Sequence, residues 1–152
     1  MKNYRNLTVF ALLFFMIFLT VPHINAQDSY NIFTLEYFKQ SVESLIMGDY
    51  DDAISQSTQV IRRDPNSSVA YTVRARAYYE KGDTANAIAD CTQALRLDRN
   101  NVSAYSIRAN AYVKNDDLNR AITDWRAILR INPESIDAEH NIELAQQQLQ
   151  SR

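Results

Sequence analysis

The sequence predicts an all-α chain, a solenoid of antiparallel helix pairs stacked side by side, and three observations predict it. Identical residues recur every 34 positions: Ala53, Ala87 and Ala121; Ile54, Ile88 and Ile122; Asp49, Asp83 and Asp117; Tyr37, Tyr71 and Tyr105. The two glycines of the chain, Gly48 and Gly82, keep the same step, and each is followed by Asp. The stretch Ser68 to Asn101 reads as one complete helix–turn–helix unit. A fixed period of this length marks a stacked array, in which each unit buries an apolar face it cannot cover alone. An apolar content of 46% with so little glycine also suits an ordered, helix-rich protein.

The first twenty-six residues form a separate segment. Met1 to Asn6 carries Lys2 and Arg5, Leu7 to Val21 is a fifteen-residue apolar run broken by Thr8 and Thr20, and Pro22 ends it. Ala26 then gives a small residue before Gln27, although Ile24 is larger than the small residue usual two places earlier. A basic start, an apolar middle and such a site form a secretory signal, so 1–26 predicts export to a periplasm or the exterior. An uncleaved anchor is the other reading, and only then would the protein meet a membrane. The apolar run is shorter than the roughly 20 residues a span needs. Beyond the signal, 14 basic face 18 acidic residues, which is no footprint for nucleic acid. One cysteine, Cys91, leaves no internal disulfide and no Cys-rich metal site.

Residues 27–33 are a short lead-in, 34–67, 68–101 and 102–135 are three units, and 136–152 is a capping helix. In each unit a first helix of about fourteen residues ends at glycine, which takes the left-handed conformation closing a helix. The following Asp caps the second helix by accepting from its free N–H groups. The third unit has Asp116 in place of glycine, so its turn is expected to be the least stable. Ser41, Ala75 and Ala109 in the first helices, with Ala53, Ala87 and Ala121 in the second, allow close approach within a unit. Ile136, Ile142, Leu144, Ala145 and Leu149 are expected to cover the last unit. Ser57, Cys91 and Trp125 share one offset, which predicts Trp125 buried against the 136–150 helix.

These residues resemble the tetratricopeptide repeat (TPR) family. The second unit carries the resemblance in Tyr71, Ala75, Tyr78, Gly82, Ala87 and Ala94, and the third in Tyr105, Ala109, Tyr112, Ala121 and Pro133. The first supplies Tyr37, Gly48, Ala53 and Pro65 but has Ser44 and Val60 at other consensus places. The resemblance implies a right-handed solenoid whose first helices line a concave groove for a protein partner. The groove residues it implies are Leu35, Phe38, Val42, Leu45 and Ile46, then Val69, Thr72, Arg76, Tyr79 and Glu80, then Ser103, Ser106, Asn110, Val113 and Lys114. Some members grip carboxylate tails of chaperones with Lys and Asn. The matching places here are Phe38, Val42, Thr72, Arg76, Ser106 and Asn110, so that clamp is not expected.

Chemistry is sparse. His140 with Glu143 makes a one-turn pair without a third ligand, and Cys91 reads as a small buried residue. Neither a metal, a cofactor nor an enzymatic site is predicted. Arg74 with Asp90 and Arg108 with Asp124 recur together, while the first unit has Gln40 with Gln56. That co-variation predicts an Arg–Asp bond between the helices of units two and three, since partly buried charges need partners. The groove is apolar at Leu35, Phe38, Val42 and Leu45 and polar toward Arg76, Tyr79, Asn110 and Lys114. The apolar stripe has three readings: it binds a partner peptide or helix, Tyr30, Ile32 and Phe33 fold over it, or two chains bury it in a homodimer. The function predicted is an exported adaptor. The alternative is an accessory subunit that binds a small hydrophobic ligand or supports an envelope transporter.

Overall fold

The structure is a computed structural model and describes residues 26–151; the signal reading of 1–26 falls almost wholly outside the described residues. The chain divides into two units, 1–32 and 33–152, and the repeat array belongs to the second. Seven helices are described: α1 Ala26–Met47, α2 Tyr50–Arg63, α3 Ser68–Glu80, α4 Thr84–Leu97, α5 Val102–Lys114, α6 Leu118–Ile131 and α7 Ile136–Gln150. From α2 onward each helix packs on the next in sequence, and α3 also touches α5. Among the described residues the fold is all α-helical. Residues 27–33, read as a lead-in, instead lie within α1: Ala26–Phe33 holds neither Pro nor Gly to stop a helix.

Each helix starts and stops for a local reason. Asp49, Asp83 and Asp117 accept from the backbone N–H three residues on, at 3.2, 3.1 and 3.2 Å, and so begin α2, α4 and α6. Asn86 adds a side-chain bond to Asp83 at 2.6 Å, and together these hold the Asp83 carboxyl below its ordinary range. Ser67 and Asn101 cap α3 and α5 in the same way. The turns inside the units share one hydrogen-bond pattern. The Asp83 N–H bonds the Tyr78 carbonyl at 2.8 Å and the Gly82 N–H bonds Tyr79 at 3.0 Å. This paired closure requires a left-handed residue at the second place. Gly48, Gly82 and Asp116 supply it with φ of 81°, 86° and 61°.

The small residues do what their spacing implies. Ser41, Ala53, Ala75, Ala87, Ala109 and Ala121 are fully buried, and Ala75, Ala109 and Ala121 belong to two apolar clusters. Ser57 and Cys91 are also fully buried, and burial pushes the Cys91 thiol up to about 12. Trp125 is 5% exposed and packs with Ala138 and Ala145, with Ile142 and Leu149 against the same cluster. Those four α7 residues, spaced 4, 3 and 4 apart, make one face of the helix. Leu144 and Ile136 lie off that face, so they are exposed at 50% and 77% and do not cover the last unit as expected.

The predicted Arg–Asp bonds are present and carry a third member. Arg74 donates to Asp90 through Nε at 2.7 Å and Nη2 at 2.8 Å, while its Nη1 donates to Thr58 at 3.0 Å. Arg108 repeats this on Asp124 at 2.8 and 2.7 Å and on Thr92 at 3.1 Å. Each arginine therefore ties its own second helix to the second helix of the preceding unit. The hydrogen bond to Asp raises both arginines above their ordinary value despite burial, so they stay charged at any working pH. The first unit uses other groups. Gln40 bonds Glu36, Gln56 bonds Asp52, and Ser44 Oγ bridges α1 to α2 by donating to Asp52 at 2.6 Å.

Candidate protein-binding groove

The groove residues belong to α1, α3 and α5, whose placement follows from the turns and capping just described. On α1, Leu35, Phe38, Val42 and Leu45 fall three or four residues apart and so share one face. Leu35 is 68% exposed, Ile46 is 79% exposed, and Phe38, Val42 and Leu45 are half-buried. Exposed Leu35 and Ile46, continued by the partly accessible Phe38, Val42 and Leu45, make an apolar strip of the kind that marks a place of contact.

The polar end is more occupied than the residue types alone imply. Arg76 is exposed but paired with Glu80 one turn on, at 2.6 Å. Lys114 reaches across the unit boundary to Tyr79, its Nζ 3.7 Å from the ring centre and donating to the Tyr79 carbonyl at 3.2 Å. Cation and ring attract through the ring's negative face, so Tyr79 and Lys114 form one joined surface. Thr72 does not contribute to the groove. It is buried, donates to the Ser68 carbonyl at 2.9 Å, and accepts from Asn101 Nδ2 at 2.9 Å. Asn101 is thus cap and clasp together, since the same amide also donates to Ser68 Oγ.

Asn110 has a setting the sequence reading missed. It lines a hollow of about 220 Å³ with Val113 of α5, Trp125 of α6, and Asn141, Leu144 and Gln148 of α7. The capping helix therefore extends the surface beyond the three first helices. The signal was available in the off-stripe positions of Leu144, Asn141 and Gln148, which a packed cap leaves facing outward. Among the described residues there is no cluster of three metal-ligating side chains, and no helix is long and apolar enough to cross a membrane. His140 and Glu143 are both exposed on α7.

The family profile described as TPR repeat matches residues 75–116, from the middle of α3 to the turn after α5. The first TPR of Spaghetti (RPAP3), solved with the HSP90 peptide SRMEEVD, is 30% identical, with a TM-score of 0.73 over 76% of this chain and 94% of that one. The chain belongs to the TPR family. The first TPR domain of human RPAP3 agrees as well, at 30% identity and a TM-score of 0.73 over 78% and 93% of the two chains. The TPR2B domain of yeast Sti1, solved in complex with pHsp70, is 26% identical with a TM-score of 0.72 over 77% and 98%. No curated protein matches by sequence. As a TPR chain it keeps the small-residue contacts and glycine turns of the family in units one and two. Asp116 carries the third turn without glycine.

Proposed function

We propose that this protein is an exported, non-enzymatic adaptor that holds a segment of another protein, a peptide or a helix, along the face of α1, α3 and α5. The observation that carries the reading is the apolar face of α1, with Leu35 and Ile46 exposed and Phe38, Val42 and Leu45 half-buried between them, in a fold whose relatives are solved with peptides. Apolar positions 35, 38, 42 and 45 suit a partner helix laid in a groove. The occupant differs in chemistry from the acidic HSP90 peptide of the Spaghetti structure. In this chain Arg76 is taken by Glu80 and Lys114 by Tyr79, while Phe38 and Val42 offer no charge. Export rests on the basic and apolar layout of residues 1–26.

The test is capture from the native compartment after crosslinking, using the parent protein, Phe38→Asp and Val42→Asp. Loss of captured partners with unchanged melting supports the groove. Loss of the fold shows instead that the stripe is needed internally, and a change only in oligomeric state shows a homodimer surface. Mass spectrometry of the protein recovered from cell fractions checks export, with a mature chain starting at Gln27 expected.

A further inference from the structure

We infer that the hollow between α5, α6 and α7 is a subsite for a single uncharged, medium-sized apolar side chain of the bound segment, with amide groups that hold the backbone on either side of it. The inference rests on the groove reading above and specifies what the C-terminal end of the groove selects.

Three features of the hollow support it. Its volume of about 220 Å³ lies below the roughly 300–1,000 Å³ of a site for a whole small molecule, and above the roughly 150 Å³ that accepts a benzene. That is room for one Leu, Met or Phe side chain. None of the lining residues is ionisable: Val113, Leu118, Leu144 and Ala145 give apolar walls, and Trp125 is flanked by Asn110, Asn141 and Gln148. A charged side chain or a chain-terminal carboxylate would lose water there without gaining a counter-charge. Finally, the polar groups are unspent. The side-chain amides of Asn110, Asn141 and Gln148 make no hydrogen bond among the described residues. The Trp125 N–H is likewise unbonded, yet it is not a sealed, unsatisfied donor, so it opens to solvent although the ring is 5% exposed. Each amide offers donors and an acceptor, which match the N–H and C=O groups of an extended peptide.

Trp125 is the one tryptophan of the chain, so its emission reports on this hollow directly. Random heptapeptides displayed on phage are selected on the purified native protein, and the winners are synthesised and titrated. The expected result is a shared single Leu, Met or Phe anchor, a shift in Trp125 emission on binding, and a loss of affinity of about tenfold or more in Leu144→Asp, as for a central contact. Leu144 is half-exposed, so this variant keeps its melting temperature. Asn141→Ala is the second variant and weakens the same peptides to a lesser degree. Peptides whose binding is abolished by Phe38→Asp, unaffected by Leu144→Asp and silent in Trp125 emission would overturn the subsite and leave the groove standing. Selection of peptides anchored by an acidic residue or a free carboxylate would overturn it too. If no heptapeptide is selected, the groove reading itself fails and the subsite with it.

Discussion

Replacing Arg108 by Met should destabilise the protein more than any exposed substitution, and the structure gives the size. Arg108 meets Asp124 through two bonds of 2.8 and 2.7 Å and Thr92 through one of 3.1 Å. The Asp124 side chain is only 4% exposed, against 17% for Arg108. Without the guanidinium, Asp124 is a carboxylate buried with no counter-charge, a loss of about 3–5 kcal/mol. The reverse change, Asp124→Leu, leaves an arginine that still reaches water, so the loss is smaller, about 1.5–3 kcal/mol. With both replaced, neither charge is stranded, and the double variant should fall well short of the sum by about 2 kcal/mol or more. Urea unfolding followed by Trp125 emission and by far-ultraviolet circular dichroism provides the assay; coincident curves license a single free energy. Additive single losses, or an Asp124→Leu loss larger than that of Arg108→Met, would refute the reasoning.

Two further outcomes follow from the turns and the buried thiol. Asp116→Gly should stabilise by about 1 kcal/mol, because it relieves a left-handed residue that carries a side chain. Gly82→Ala should lose a similar amount although a methyl there meets nothing within 4 Å, which isolates backbone strain from crowding; thermal melting of both variants checks the pair. Cys91, with its thiol pushed up to about 12 and no exposed surface, should resist alkylation in the folded protein and react with the same urea midpoint as Trp125 emission. Rapid labelling in native buffer would contradict that burial.

Much of this architecture was legible because repeats print the same physics three times. Asp49, Asp83 and Asp117 announce the capping, Gly48 and Gly82 the turns, and the size step from Ser57 through Cys91 to Trp125 announces the enlarged core under α7. The Arg–Asp bonds were legible as co-variation. Their third partner was not, because Thr58 and Thr92 look like ordinary helix residues, although each stands 16 positions before its arginine, as the arginine stands before its aspartate. Thr72 lies on the groove side, yet a place on that side does not give access, because Asn101 bonds its hydroxyl. The exposure of Leu144 and Ile136 has a related cause. Only the 138, 142, 145, 149 face of α7 packs on the last unit, so apolar residues elsewhere on the helix stay in water.

The threonine–arginine–aspartate chain also sets how such a protein can lengthen. A tandem copy of residues 68–101 would bring Arg74, Asp90 and Thr92 together, so the new segment would find an acceptor behind it and offer one ahead. A copy of 102–135 would not, because Arg126 stands where Thr92 would be needed and would face the incoming Arg108. At the next arginine place α7 has Ile142, which packs into the core instead. Duplication of the middle unit would therefore keep the chain of bonds continuous, whereas duplication of the third would set one arginine against another.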